Sequence, residues 1–141
     1  MARRTNVFSE TREKLITRCE AWKATHYPNL KVFYENGPSV NWDAQTADFV
    51  MVRLRFPDSS QASLEQEPIY RIRGWLDIAC YVKEYSGTAR AYTMVDTLLN
   101  QFRFHQEPGL VTHAPYLHKP MTVEGWHILE LSVGFAADSV I

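Results

Sequence analysis

The segment YRIRGWLDIACYVK, residues 70–83, carries the clearest structural pattern in the sequence. Its side chains alternate in character with the period of two that a β-strand imposes. One face carries Ile72, Leu76, Ile78, Cys80 and Val82, and the other carries Arg71, Arg73, Trp75, Asp77 and Tyr81. Gly74 interrupts the apolar side and indicates a bulge or a close approach of another backbone segment. The stretch predicts a long strand with an apolar face and a mixed face.

Two flanking stretches predict further strands of the same kind. In DFVMVRLRF, residues 48–56, Arg53 and Arg55 alternate with apolar residues. The stretch GWHILELSVGFA, residues 125–136, alternates in the same way along a predicted closing strand. Residues 48–56 and 70–83 are expected to pair as an antiparallel ribbon. The polar segment between them, Pro57 to Pro68, is expected to be a loop longer than the usual hairpin connection.

Two helices and two weaker strands complete the prediction. The first helix is expected over residues 9–25, with Ser9 as its N-cap and an end before Pro28. The second is expected to open at Ser86 or Gly87 and to run to about Phe104. Residues 30–35 (LKVFYE) form a predicted short strand, and residues 110–117 form a weak strand candidate broken by Pro115. The predicted apolar stripes are Leu15, Ile16, Cys19 and Trp22 in the first helix, and Ala91, Met94, Val95, Leu98, Leu99 and Phe102 in the second.

This order of elements predicts an α+β fold in one domain spanning residues 1–141. The sheet is expected to have four to five strands and to be mainly antiparallel, with a mixed sheet as the alternative. Both helices are expected to pack on one face of the sheet, because each has a broad apolar stripe to cover. The mixed face must then meet either water or a partner.

Composition excludes several functional classes. The 141 residues are 45% hydrophobic and 22% charged, with a formal net charge of -1, so neither a strongly basic nucleic-acid binder nor an acidic tail is indicated. No apolar run is long enough for a membrane span, and residues 1–9 lack the apolar stretch of a signal peptide, so a soluble protein is expected. Cys19 and Cys80 lie far apart in unlike contexts, and both are expected to be free thiols.

No arrangement typical of catalysis or metal binding stands out in the sequence. His105, His113, His118 and His127 lie within 23 positions, but no cysteine or HExxH pattern joins them, so no metal site is predicted. There is neither a GxSxG elbow nor a glycine-rich phosphate loop, so no catalytic residue and no cofactor is predicted either.

The four strand arginines are the candidate functional residues. Arg53, Arg55, Arg71 and Arg73 are expected to point to the mixed face, where Asp77 and Glu130 are expected partners across the sheet. One reading is a solvated face with local salt bridges, and the other is a contact surface for a subunit or a nucleic acid. Trp75 and Tyr81 favour an interface, because large exposed aromatic side chains mark binding surfaces. Gln61 and Glu65, in the predicted loop, complete the candidate interface.

Several phrases of the sequence resemble the tail terminator proteins of long-tailed bacteriophages and the minor tail proteins grouped with them. The resemblance covers nearly the whole chain. It rests on LITRCEAWKATHYPNLKVFYENGP (15–38), DFVMVRLRF (48–56), RGWLDIACYVKEYSGTARAYTMVDTLLNQF (73–102) and WHILELSVGF (126–135). The chain departs from the family's pattern in the Pro- and His-rich residues 113–120 and in SSQASLEQ, residues 59–66.

The resemblance implies a structural role without catalysis. Tail terminators assemble as a ring, usually hexameric, on the last ring of tail-tube subunits, where they end polymerisation and present a surface for head attachment. The implied partners are further copies of the chain, the tail tube protein and a head-tail connector protein. DNA would pass through the ring with at most weak non-specific contact, and no membrane would be involved. The implied location is the tail of the virion, after assembly in the host cytoplasm.

Two other functions remain open at the level of sequence. A head-tail joining, or neck, protein of similar size and fold would differ only in which ring it meets. A small α+β ligand-binding domain would instead need a pocket, and the expected lining is Trp75, Tyr81 and His127. Burial of the mixed face by a neighbouring copy would indicate assembly.

Overall fold

A computed structural model of the chain describes residues 7–35, 45–61 and 69–140. The elements within these ranges are α1 (Val7–His26), β1 (Lys31–Tyr34), β2 (Phe49–Gln61), β3 (Ile69–Lys83), α2 (Ala89–Phe102), β4 (Gln106–Glu107), β5 (Leu110–Thr112), β6 (Tyr116–Leu117), β7 (Met121–Val123) and β8 (Trp126–Val140). Neither of the two described helices has the length and apolar character that crossing a membrane requires.

All eight strands belong to one mixed sheet with the order β1-β2-β3-β8-β5-β4, and β6 and β7 also pair with β8. The α+β class is confirmed. The expected count of four to five strands was wrong, because the short strands β4 to β7 add to the long ones. β1 runs parallel to β2, whereas the other pairs are antiparallel.

The long strands form the centre of the sheet. β3 pairs with β8 over the whole of both strands, from Ile69 opposite Val140 to Lys83 opposite Trp126. β2 pairs with the other edge of β3, which confirms the predicted antiparallel ribbon. β8 continues four residues beyond the predicted end at Ala136, because β3 offers it backbone partners up to Ile69.

The short strands occupy the second edge of β8. The weak candidate at residues 110–117 is divided into β5 and β6, and Pro115 lies between them. β7 was not predicted, and it joins β8 through Glu124 and Gly125, which both have positive φ angles of 48° and 84°. Two consecutive residues with positive φ match a type I′ turn, whose twist suits a tight hairpin.

Both helices pack on one face of the sheet, as predicted. Their buried residues form one core with the apolar face of β2, β3 and β8. Trp22 of α1 is 1% exposed, and its indole Nε1 donates a hydrogen bond of 2.9 Å to Thr97 Oγ1 of α2. This bond fixes one helix against the other inside the core.

The first helix begins earlier than the sequence predicts. α1 includes Val7 and Phe8, so Ser9 lies inside the helix and the predicted N-cap was wrong. Val7 is 3% exposed, and the ring of Phe8 lies 5.2 Å from that of Phe56. Tertiary packing of these two residues therefore outweighs the local preference of serine for a cap.

The predicted loop at residues 57–68 is in part a strand. β2 continues through Pro57 to Gln61, and a register shift between Arg55 and Asp58 accommodates the proline, which has no N–H to donate to the ladder. Across from this bulge lies Gly74, where an added Cβ would stand 2.3 Å from the carbonyl oxygen of Arg55. The close backbone approach predicted at Gly74 is confirmed. Residues 62–68, with Glu65, lie outside the described residues.

Cys19 and Cys80 are buried free thiols, as predicted. Burial raises the pKa of each thiol to about 12, with nearby Glu20 adding to the effect at Cys19 and Asp48 at Cys80. Both thiols are consequently protonated at neutral pH, and neither has the low pKa of a reactive cysteine.

Candidate functional site on the mixed face of the sheet

The mixed face is the side of the sheet opposite α1 and α2. Strand alternation places all four candidate arginines there, because Arg53 stands opposite Asp77, Arg55 opposite Trp75 and Arg71 opposite Asp138. The prediction that Arg53, Arg55, Arg71 and Arg73 share one face is confirmed. The candidate acids Asp77 and Glu130 lie on the same face.

Asp77 is the centre of the ionic network on this face. Its side chain is 3% exposed, and its carboxylate accepts hydrogen bonds from Arg55 Nε at 2.5 Å, Arg55 Nη2 at 3.0 Å and Arg53 Nη2 at 3.1 Å. Burial alone would raise the pKa of this carboxyl. The hydrogen bonds from Arg55, Ser132 and Arg53 outweigh burial and hold the pKa of Asp77 below its ordinary value.

Ser132 and His118 extend the network, and the sequence did not predict either of these contacts. Ser132 Oγ donates to Asp77 Oδ1 at 2.6 Å, and His118 Nε2 lies 2.6 Å from the same Ser132 oxygen. Since the hydroxyl proton is directed to Asp77, His118 must donate its Nε2–H to Ser132. The backbone N–H of His118 also donates to the carbonyl of Glu130, which fixes the ring at the edge of β8.

The His118–Ser132–Asp77 chain does not have the order of a nucleophilic triad. In a triad, the histidine stands between the serine and the acid and accepts the hydroxyl proton. Here, Ser132 stands in the middle, donates to the acid and is only 2% exposed. The arrangement suits a structural brace that fixes β6, β8 and β3 to one another.

A set of three possible metal ligands also meets in this network. Single ligand atoms of Asp77, His118 and Glu130 lie within 4.8 Å of one another. The guanidiniums of Arg55 and Arg53 already bind the Asp77 carboxylate, and Arg53 Nη2 lies 4.0 Å from Glu130. Because two positive charges already neutralise the two acids, the electrostatics of the set oppose a further cation.

Trp75 lies beside the network and is 37% exposed. Gly134 faces its ring, and a Cβ added at Gly134 would come within 3.3 Å of Trp75 Cζ3 and 3.6 Å of His113. The guanidinium carbon of Arg55 lies 6.0 Å from the centre of the Trp75 ring, at the outer limit of a cation–π contact. Gly134 thus leaves room for the indole to lie on the sheet with its outer surface in water.

The far end of the mixed face carries a second ion pair. Arg71 Nε and Nη2 donate to the two carboxylate oxygens of Asp138 at 2.7 and 2.9 Å. These bonds from Arg71 hold the pKa of Asp138 below its ordinary value, and the positive charge of Arg73 contributes. Both side chains of the Arg71–Asp138 pair are more than a third exposed, so solvent screens most of its contribution to stability.

Tyr81 does not lie on the exposed surface, so its prediction as an exposed aromatic side chain was wrong. It is 8% exposed and stacks on Phe49 with ring centres 4.5 Å apart. Together with Trp126 and Ile128, these two residues form a second apolar cluster. The pattern of alternation correctly places Tyr81 on this side of the sheet, but it cannot tell which neighbours cover it.

The remaining sequence-based candidates do not meet at one place. Gln61 pairs through its backbone with Tyr70 in β2 and β3, and its side chain lies outside the described part. The predicted ligand pocket lined by Trp75, Tyr81 and His127 is not formed, because His127 stands opposite Val82 and points to the helix side. Trp75 points to the opposite side of the sheet.

An exposed apolar column borders the mixed face, and sequence reasoning missed it. The column consists of Val111, Tyr116, Met121 and Val123, which are 37%, 60%, 49% and 38% exposed. Their partners on β8 are Ala136, Ser132, Ile128 and Trp126, so all four point to the same side as Asp77. Only the pairing of the short strands with β8 brings these residues together.

Comparison with known proteins supports the fold and gives no activity. No protein-family model and no curated protein matches the chain. Sixteen chains of solved structures match it, and one of them carries only a serial designation in place of a functional name. That chain is 16% identical over 97% of this chain and 99% of its own length, with a TM-score of 0.71. Similarity at this level of identity shows that the two proteins share a fold.

Proposed function

We propose that the protein is a structural virion component that caps the phage tail tube as a ring, ends tail polymerisation and offers a surface for head attachment. The observation that carries the proposal is the mixed face, where a braced ionic network and Trp75 lie on the side of the sheet opposite both helices. The resemblance of the sequence to tail terminators supports the same function.

The chemistry of the mixed face suits a protein partner. Arg53 and Arg55 hold Asp77 and still have 60% and 44% of their side chains exposed. Arginine and tryptophan are enriched in protein interfaces and among the residues that contribute most to binding. Because Asp77 holds these arginines in place before contact, less entropy is lost on binding.

The same contacts favour a structural role over a catalytic one. Ser132, the one hydroxyl in the central network, is buried and donates to Asp77, so it is not activated for attack. Both described cysteines have raised pKa values and are buried. We therefore assign the network to positioning Arg53 and Arg55 and propose no reaction for it.

Tube assembly in the presence of the protein tests the proposal. Purified tail tube protein would be polymerised with and without this chain, and tube lengths would be measured by electron microscopy. We expect the wild-type protein to shorten the length distribution and to label one tube end. Unchanged tube lengths and unlabelled ends would overturn the proposal. Binding to a connector protein without any effect on tube growth would instead identify a neck protein.

A double variant tests the role of the mixed face itself. Arg73→Ala combined with Trp75→Ala should abolish capping while the variant still unfolds cooperatively, because both side chains lie at the surface of the sheet. Tyr92→Ala is the matched control, since Tyr92 is a 43% exposed aromatic side chain on α2. Equal capping by the double variant and the control would remove the mixed face from the proposed function.

A further inference from the structure

Phe104 has a backbone conformation and a solvent exposure that are both unfavourable for a phenylalanine. It lies two residues beyond the end of α2, has a φ of 50° and is 71% exposed. Glycine commonly fills this left-handed position after a helix, and bulky side chains rarely do. A phenyl ring also has no polar atom to offer to water. Such an outlier points to a role outside the fold of the single chain.

The opposite end of α2 borders an apolar groove. The groove has a volume of about 740 Å³, large enough for a phenyl ring, and lies between the first turns of α2 and the segment that joins α1 to β1. Its lining includes Tyr27, Pro28, Leu30, Ala89 and Met94, together with the ion pair of Asp48 and Arg90.

Phe104 cannot fill the groove of its own chain. α2 has 14 residues, which at 1.5 Å per residue separates its two ends by about 20 Å. A phenylalanine side chain reaches only about a third of that distance. Within residues 7–35, 45–61 and 69–140, each copy therefore presents an exposed apolar ring at one end of α2 and an open apolar groove at the other.

We infer that Phe104 of one copy inserts into the groove at the start of α2 of the next copy. This contact rests on the self-assembly in the proposed function and names the surfaces that would form it. Two different patches that fit each other give a heterologous interface, which repeats from copy to copy and closes into a ring when the rotation allows. The second copy is the favoured occupant because the chain itself carries both halves of the contact.

The charges beside the ring and in the groove are consistent with this occupant. Arg103 is exposed beside the ring, and Asp48 in the groove accepts both bonds of Arg90 at 2.8 Å while retaining further acceptor capacity for a second guanidinium. A buried phenylalanine contributes about 150–200 Å². Because a stable interface needs about 1,000 Å² or more, Phe104 acts as the anchor of a larger contact.

Two complementary variants test the direction of the contact. Phe104→Asp removes the ring and keeps the groove, whereas Ala89→Trp fills the groove and keeps the ring. Each variant alone should be monomeric by light scattering at concentrations where the wild type self-associates. An equimolar mixture should form a one-to-one dimer and nothing larger, because only one productive contact remains. A mixture that stays monomeric, or single variants that associate like the wild type, would overturn the inference.

Cysteine cross-linking tests the contact even where association is weak. Phe104→Cys and Ala89→Cys would be mixed under mild oxidation, with Tyr92→Cys replacing Ala89→Cys as the control partner. The native Cys19 and Cys80 are buried and do not compete. We expect the first pair to cross-link at least tenfold faster than the control pair. Equal rates would overturn the inference.

Two further experiments help to interpret a negative result. The first shows whether loss of association comes from unfolding, and the second shows whether the contact or the proposed function is wrong. Phe104→Gly should melt a few degrees higher than the wild type, because it relieves the left-handed strain, and should still lose self-association. If Phe104→Asp caps tail tubes as well as the wild type does, the contact is wrong and the proposed function stands. If the wild type does not cap tubes, and the Phe104→Cys and Ala89→Cys pair cross-links no faster than the control pair, both are wrong.

Discussion

At the scale of single residues, Asp77 organises the mixed face because one buried carboxylate receives two guanidiniums and a hydroxyl. The alternation in residues 70–83 places Asp77 among the arginines, so sequence alone predicts its pairing. It does not predict His118 or Ser132 as members of the same network. His118 reaches Ser132 only because β6 pairs with β8 in a Pro-rich segment that has no periodicity of its own.

Replacement of Asp77 by asparagine should destabilise the protein in a pH-dependent way. At pH 7 we expect a loss of about 1–3 kcal/mol, because the buried hydrogen bonds from Arg55 and Ser132 lose their charged acceptor. The pKa of Asp77 is lower in the folded than in the unfolded state, where it is about 3.9. Its contribution is therefore complete above that value and is lost as pH falls through the folded pKa.

Urea unfolding of the wild type and Asp77→Asn between pH 3 and pH 7 checks this prediction. The difference in unfolding free energy should shrink as the pH falls below about 4. A difference that stays constant over the whole range would show that the stabilisation does not come from the ionised carboxylate.

Position 74 requires a glycine because the backbone of β2 lies too close to leave room for a side chain. In Gly74→Ala, the new methyl would stand 2.3 Å from the Arg55 carbonyl oxygen and 2.8 Å from the Phe135 ring, so β2 and β3 would have to separate locally. We expect a loss of at least about 1–3 kcal/mol in unfolding free energy.

Gly87→Ala is the matched control for this prediction. Gly87 has a φ of 89° with no atom within 4 Å of an added Cβ, so its substitution adds only backbone strain of about 1 kcal/mol. Denaturant unfolding of both variants measures the two costs. A Gly74→Ala variant no less stable than Gly87→Ala would contradict the steric argument.

At the scale of elements, sequence reasoning succeeds where a segment is long and periodic. The β2–β3 ribbon, β8 and both helices were predicted because each of these segments repeats one pattern over about nine residues or more. β4, β6 and β7 contain two or three residues each, too few to show a period, and only the open edge of β8 organises β6 and β7. The bulge that extends β2 past Pro57 likewise depends on its partner strand.

The hydrogen bond from Trp22 to Thr97 joins the two helices alongside two bonds between Arg18 and Gln101, and it should contribute measurably to stability. In Thr97→Val, the shape of the side chain is kept, but the buried Trp22 Nε1–H loses its acceptor. We expect a loss of about 1–3 kcal/mol, as for other buried donors left without a partner.

Thr93→Val is the control, since Thr93 Oγ1 donates to Ala89 at an exposed position of the same helix. Thermal unfolding followed by near-ultraviolet circular dichroism reports the Trp22 environment directly. If the two variants melt at the same temperature, the bond to Trp22 contributes nothing specific.

At the scale of the whole molecule, one hydrophobic core lies between the sheet and the helices and contains residues of α1, α2, β2, β3 and β8. Cys19 of α1 and Cys80 of β3 are both members of it, and burial raises the pKa of each to about 12. If the described elements unfold as one unit, the two thiols should become reactive together.

Thiol labelling at increasing urea concentration, read by mass spectrometry of peptides, checks this expectation. Neither cysteine should react in the native protein at pH 8, and both should be labelled with the same urea midpoint. Earlier labelling of Cys19 would show that α1 detaches before the sheet unfolds.

The central position of β8 in the sheet affects the order in which the chain can fold. β3 must leave one long edge unpaired while α2 and four short strands are made, because its partner begins only at Trp126. Contacts that join residues so far apart in sequence slow folding, and the unpaired N–H and C=O groups along the edge of β3 invite pairing with another chain in the meantime. A chain interrupted before residue 126 would lack the backbone partner of β3, and we expect such a fragment to aggregate.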